Sequence, residues 1–254
     1  MEQSGQTASS VTGLLFVADM YSLQLDHLAA VLGVSEPRAR AVVTGWRKRR
    51  FAESARIGPG PAWVWLTRSG LNACGLPYTA TAPALSRLAH LRAVTTVRLA
   101  LEAVPGYGAA GAFWRSERRL RARAGGRVGL REHVPDGEVH WPDGCGLAWA
   151  GECWAVEAEL TRKTVTRTVA IMQEALTRTG DYGCPAAQAH VPGAPPRHAR
   201  VLYLCSPAAR PVVARARDSL GPLGERVEVR DLPPGAAMAE PTARSRPSGP
   251  RVTA

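Results

Sequence analysis

Three acidic side chains and a lysine within residues 133–163, HVPDGEVHWPDGCGLAWAGECWAVEAELTRK, have the types and spacing of a divalent-cation site. In WAVEAEL, apolar and acidic residues alternate. On a strand, Val156, Ala158 and Leu160 would take one face, and Glu157, Glu159, Thr161 and Lys163 the other. Asp136 precedes the short strand EVHW and approaches Glu157 if 138–141 pairs near 154–160. Mg2+ or Mn2+ takes oxygen ligands, and one or two carboxylates with phosphate and water suffice. Such a cation would neutralise a phosphodiester and activate a water. Asp136 and Glu157 would hold the metal, Glu159 would hold metal or water, and Lys163 would stabilise charge. A solvated strand face gives the same alternation; the upstream Asp136 argues against it. Asp143, in the second Pro-Asp-Gly, reads as hairpin-turn chemistry, with a ligand role as its alternative. His133, His140, Cys145 and Cys153 raise zinc, but their spacing matches no common structural zinc pattern, so they read as side chains packed or exposed near a hairpin. No Walker A or GxSxG motif is present.

The elements that must position these residues follow from periodicity. Leu85, Leu88, Leu91, Val94, Val97 and Leu101 fall on helical spacing and predict a helix over 84–103. Strand-like runs follow at 112–122, 134–141 and 153–161. A helix over 164–178 would bury Val165, Val169, Met172 and Leu176, leaving Arg162, Arg167 and Arg178 for phosphates and Gln173 as a polar residue near the site. The loop 180–199 leads to a strand at 199–206, a helix at 211–220 and a strand at 226–232. Trp114 reads as packing, with base stacking as the alternative. From Pro233 the Pro, Gly and Ser content predicts disorder.

Upstream, SLQLDHLAAVLGVSEPRARAVVTGWRKRR reads as helix–turn–helix. Ala29 is small where helices cross, Gly33 suits the turn, Ser35 is an N-cap and Pro37 fits a first helical turn. Ala39, Val42, Val43 and Trp46 form the inner face of the second helix. Its outer face offers Arg38, Arg40, Thr44, Arg47 and Lys48 to a groove and its phosphates. Two strands around Gly-Pro-Gly-Pro follow, flanked by Arg49, Arg50 and Arg56, and Thr67 caps another helix. This is the winged-helix order; a winged helix used for protein contacts is the alternative.

The chain has 254 residues and a formal net charge of +11, which favours a polyanionic partner. Arginine-rich codon usage inflates arginine but not the excess of base over acid. Lys48 and Lys163 are the only lysines. Five cysteines with no CxxC pair, no secretory signal and no apolar run long enough for a bilayer predict reduced thiols and a cytoplasmic location without membrane partners. The division expected is a flexible arm at 1–10, a winged helix at 11–75, a linker at 76–83, a second domain at 84–232 and a disordered tail at 233–254.

A Pro-Asp, a hairpin and Glu-x-Glu on a strand before a helix resemble the PD-(D/E)XK nuclease core. The whole chain is similar to the replication-relaxation family of plasmids and integrative elements, particularly of actinobacteria, through WRSERRLR, HVPDG and WAVEAELTRK. The resemblance covers roughly residues 11–232. It implies an α+β protein, a winged helix followed by an αβββαβ restriction-endonuclease-like domain. It also implies a role for Glu117 as the upstream glutamate used by some members. Double-stranded DNA is the implied partner; a homodimer and replication or transfer proteins are compatible with it. Glu159 stands where the family pattern has lysine, which puts cleavage in doubt. A non-catalytic replication, transfer or transcription regulator with a degenerate nuclease fold is the alternative.

Overall fold

The computed structural model describes residues 2–105, 107–108, 111–125, 128, 132–143, 149–183 and 192–238, with residues 2–10 as backbone only. The protein is of mixed α+β class, with a three-stranded and a five-stranded sheet.

The N-terminal unit runs α1 (Glu2–Asp19), β1 (Ser22–Gln24), α2 (Leu25–Leu32), α3 (Glu36–Lys48), β2 (Ala52–Ala55), β3 (Trp63–Leu66) and α4 (Arg68–Ala73). Helix α1 begins at Glu2, within the segment expected as an arm at 1–10, and its later turns place Leu14, Phe16 and Val17 in the core. Gly33 ends α2 in the left-handed conformation, at φ 63°. Its N–H donates back to Ala29 and Ala30. The turn therefore tips α3 across α2, burying Ala39, Val43 and Trp46. Ser35 occupies the N-cap without a side-chain cap bond. Thr67 does cap α4, accepting from the Gly70 N–H. β3 lies between β1 and β2, antiparallel to both.

The second unit contains α5 (Leu88–Glu102), β4 (Phe113–Ser116), α6 (Glu117–Arg123), β5 (Gly137–His140), β6 (Cys153–Glu159), α7 (Val165–Thr177), β7 (Arg200–Cys205), α8 (Arg210–Asp218) and β8 (Val227–Asp231). The sheet order is β4-β5-β6-β7-β8. β4, β5 and β6 form an antiparallel meander, and β6, β7 and β8 are parallel. The parallel pairs need crossovers, supplied by α7 and α8. Val156, Ala158, Leu202 and Leu204 pack with α5, while Ala155, Tyr203 and Cys205 pack with α7 and α8.

Three expectations are corrected. The run 112–122 is strand only to Ser116, whose hydroxyl accepts from the Arg119 N–H and starts α6. The helix at 84–103 opens with a 3-10 turn, and Leu85 is exposed rather than on the inner face. Residues 233–238 are packed: Ala236 is buried, and Arg92 donates to the carbonyls of Gly235 and Ala237. Residues 239–254 of the expected tail lie outside the described residues.

The two units share one hydrophobic core, in which Leu14, Val17 and Leu28 join Val94 and Val97 of α5. The stretch 76–83 has no regular structure, yet Tyr78 is buried and its hydroxyl donates to Asp19. Arg118 of α6 is buried between the units. It donates to the carbonyls of Ala18 and Thr79 and stacks on Tyr21 and Tyr78. Among the described residues no helix is long and apolar enough to cross a membrane.

Candidate functional site

Gly137 sets the geometry at the start of β5. It pairs with Ser116 of β4 and Val156 of β6. The indole of Trp114 lies over it so closely that an added Cβ would fall 1.9 Å from the ring. Trp114 is thus buried against the β5 backbone. Asp136, one residue earlier, is fixed by three contacts. Its carbonyl accepts from the Glu117 N–H at 3.1 Å. Its Oδ2 accepts from the Ala158 N–H at 2.8 Å, and its Oδ1 lies 2.8 Å from His90 Nε2. The hydrogen bond from Ala158 ties the acid to the strand that carries Glu157 and Glu159.

Glu157 and Glu159 are both buried, so the alternation on β6 is not a solvated strand face. Glu157 Oε1 is 2.5 Å from His133 Nε2. Glu159 Oε2 is 2.5 Å from Lys163 Nζ, an ion pair across four residues at the strand end. Burial pushes the Glu157 carboxyl up. The charge and hydrogen bond of His133 oppose this, the Asp136 charge adds to it, and the net shift is upward. Burial also acts to raise Asp136, but the hydrogen bonds and charge of His90, the Ala158 N–H and the His133 charge hold its carboxyl below the usual value. Burial lowers both imidazoles, and their acidic neighbours more than offset it, so His90 and His133 are held above the ordinary 6.5.

The expected residues Asp136, Glu157, Glu159 and Lys163 therefore form one neighbourhood, in which Lys163 acts on Glu157 as well as pairing with Glu159. The Glu117 side chain instead forms ion pairs with Arg87 and Arg121. It borders the same small cleft as His90 and Asp136. Asp143 is exposed, and the turn after it lies outside the described residues. Gln173 is exposed. Arg178, expected to be free for phosphates, is buried and paired with Glu132 and Glu174. His90 gave no sequence signal: its partner is 46 residues away and the helical spacing around it is ordinary. His133 was visible beside the Pro-Asp, but the zinc spacing test did not reveal its partner Glu157.

The zinc reading is also redrawn. His133 belongs with Glu157 and Cys145 lies outside the described residues, while His140 and Cys153 are neighbours at 3.5 Å. Glu138, Cys153 and His198 form a largely buried group that could hold a metal ion. The side chain of Glu138 is fully buried and faces His140, Arg197 and His198. Burial acts to raise it, and these hydrogen bonds with the Arg197 charge hold it far below the usual carboxylate range.

On the N-terminal unit, Arg38, Arg40, Thr44, Arg47, Lys48, Arg49, Arg50 and Arg56 are all exposed. Among the described residues, none of these seven cations is in an ion pair. Arg50 takes a left-handed backbone, φ 59°, which turns the chain from α3 into β2. A shallow concavity between α3 and α4 is lined by Arg47, Arg50, Thr67 and Arg68. In the second unit Arg87, Arg98, Arg115, Arg121 and Arg197 face acids, whereas Arg119, Arg123, Arg162 and Arg167 are exposed and, among the described residues, outside ion pairs.

No family model and no curated protein matches this chain.

Proposed function

We propose that the protein binds double-stranded DNA through a winged helix, with α3 as the groove-facing helix and the β2–β3 hairpin as the wing. One observation carries this reading: seven cations on α3, just after it and at the wing are exposed and, among the described residues, free of ion pairs. Leaving like charges together costs self-repulsion; the phosphates of a duplex offset it by their opposite charge, and the counterions they release add a favourable, salt-dependent term. Arg38, Arg40, Arg47 and Lys48 then lie along the helix, and Arg49, Arg50 and Arg56 at the wing. Duplex affinity measured by fluorescence anisotropy tests it. Charge reversal at Arg47 and Lys48 should abolish binding; unchanged affinity would refute the assignment.

Under the same proposal, Asp136 and Glu157 mark the position of a metal-dependent phosphodiesterase site. The order α5-β4-β5-β6-α7-β7, with α6 interpolated, supports the likeness to the αβββαβ nuclease core and to the replication-relaxation family. The donors fit Mg2+ or Mn2+, since half-buried Asp136 and buried Glu157 are neighbouring, oxygen-only ligands. A bound cation would supply charge neutralisation and water activation for a phosphodiester. The protein's own part is to hold the acids. Ala158 N–H orients Asp136, Lys163 holds Glu159, and His90 and His133 occupy the two carboxylates until they are released.

That occupation favours a second reading, a non-catalytic DNA-binding regulator with a closed acidic centre. Both carboxylates are engaged by histidines, and Glu159 stands where lysine would serve cleavage. Mg2+- or Mn2+-dependent nicking of supercoiled plasmid, lost in Asp136→Asn, distinguishes cleavage from binding alone.

A further inference from the structure

We infer that the buried face of the β5–β6 pair is a zinc site, with Glu138, Cys153 and His198 as ligands and His140 as the fourth donor. The strand register builds it. Glu138 and His140 are two apart on β5 and share a face. Cys153 is the direct cross-strand partner of His140. His198 enters from the segment before β7, where the Ala199 N–H donates to the Cys153 carbonyl at 2.8 Å. One donor atom each from Glu138, Cys153 and His198 lies within 4.8 Å of the others. His140 Nε2 is 3.0 Å from Glu138 Oε2 and 3.5 Å from Cys153 Sγ. Zinc bond lengths of about 2.0–2.3 Å put tetrahedral ligands roughly 3.3–3.7 Å apart, so an ion need draw Glu138, Cys153 and His198 together by no more than about 1.5 Å, and His140 already lies near that spacing from Glu138 and Cys153.

The orientation of His198 is an independent indication. Its Nδ1 lies 3.0 Å from the Ala175 carbonyl, which can only accept, so Nδ1 carries a proton. In the neutral ring the Nε2 lone pair then faces Glu138 Oε1 at 2.9 Å, with the Tyr182 hydroxyl farther off at 3.3 Å. Two lone-pair atoms at that distance need a proton or a cation between them. An imidazole whose far N–H donates to a backbone carbonyl is the usual outer arrangement of a metal-bound histidine.

The donor set selects the ion. Imidazole, thiolate and a single carboxylate suit Zn2+, whereas Mg2+ takes oxygen ligands. A Cys153 thiolate and the Glu138 carboxylate match its two charges. Arg197, which donates to both Glu138 oxygens at 2.6 and 3.1 Å, becomes the partner that orients the carboxylate and retains Asp181 as a second acid. Binding exchanges two protons for the ion, the Cys153 thiol proton and the one held between His198 Nε2 and Glu138 Oε1, and both leave to solvent. The ion would tie β5, β6 and the approach to β7 together two residues from Asp136, so its role would be to stiffen the strand that carries the acidic centre.

The test is Co2+ titration of the full-length, chelator-stripped protein by absorption spectroscopy. One equivalent should give a thiolate-to-cobalt charge-transfer band with tetrahedral d–d bands, both bleached by Zn2+. Cys153→Ser should remove the charge-transfer band and His198→Gln should weaken binding by about tenfold or more. Cys145→Ser and Cys184→Ser should leave the spectrum intact. No charge-transfer band in the wild type, a band that survives Cys153→Ser, or one lost in Cys145→Ser would overturn the site.

Discussion

His90 Nε2 lies 2.8 Å from Asp136 Oδ1, joining α5 to the residue just before β5. With His133 on Glu157, it gives the acidic centre two imidazoles in place of solvent. The centre is thus closed by titratable groups, and its stability responds to pH.

Both imidazoles titrate above 6.5 in the folded protein, so the folded state binds their protons more tightly than the unfolded chain does. Their contribution is full below pH 6.5 and is lost as pH rises through the folded values. The raised Glu157 acts in the same direction; the lowered Asp136 matters only on the acid side of 3.8. Without divalent metal, the thermal midpoint should therefore fall as pH rises above 6.5 through the raised folded values, and should fall less in His133→Gln. The substitution itself should cost about 1–3 kcal/mol at pH 6 by leaving Glu157 buried without its partner. Parallel pH profiles for the two proteins would contradict the assignment.

A divalent cation should compete with those protons. Mn2+ at fixed ionic strength should raise the wild-type midpoint, more at pH 8 than at pH 6, and raise Glu157→Gln much less. Differential scanning fluorimetry reads both effects. Equal shifts in the two proteins would mean that Asp136 and Glu157 do not hold the ion.

Gly137→Ala should destabilise by roughly 1–3 kcal/mol or more, because the new Cβ meets the buried Trp114 ring. Reversible thermal or urea unfolding measures it. A midpoint within experimental error of the wild type would show that the ring has room to move.

Local signals carried much of the fold. The Gly33 turn, Pro37 in the first turn of α3, the Thr67 cap and the apolar spacing of α5 and α7 all act within a few residues, and each produces the element its chemistry implies. Ser116-Glu117 was a legible helix start, but the alternation in FWRSERRLR masked it. The acidic neighbourhood was partly legible, because Glu157 and Glu159 share a strand face and Asp136 lies one residue before the paired strand. Its closure was not, since His90 is 46 residues from Asp136 and His198 is 60 residues from Glu138. Only tertiary packing brings those histidines in. The packed segment 233–238 was missed for the same reason: its carbonyls are held by Arg92, some 140 residues earlier.

The central claim, that exposed cations on and after α3 bind duplex DNA, is tested most directly by the salt dependence of affinity. Log affinity against log salt should fall steeply for the wild type, with a slope of about −0.9 per phosphate neutralised. Arg47→Ala, Lys48→Ala and Arg50→Ala combined should make that slope shallower by about 2–3 while leaving the thermal midpoint nearly unchanged, because all three side chains are exposed and outside ion pairs. A triple variant with the wild-type slope would contradict the account, as would a wild type whose duplex affinity does not depend on salt.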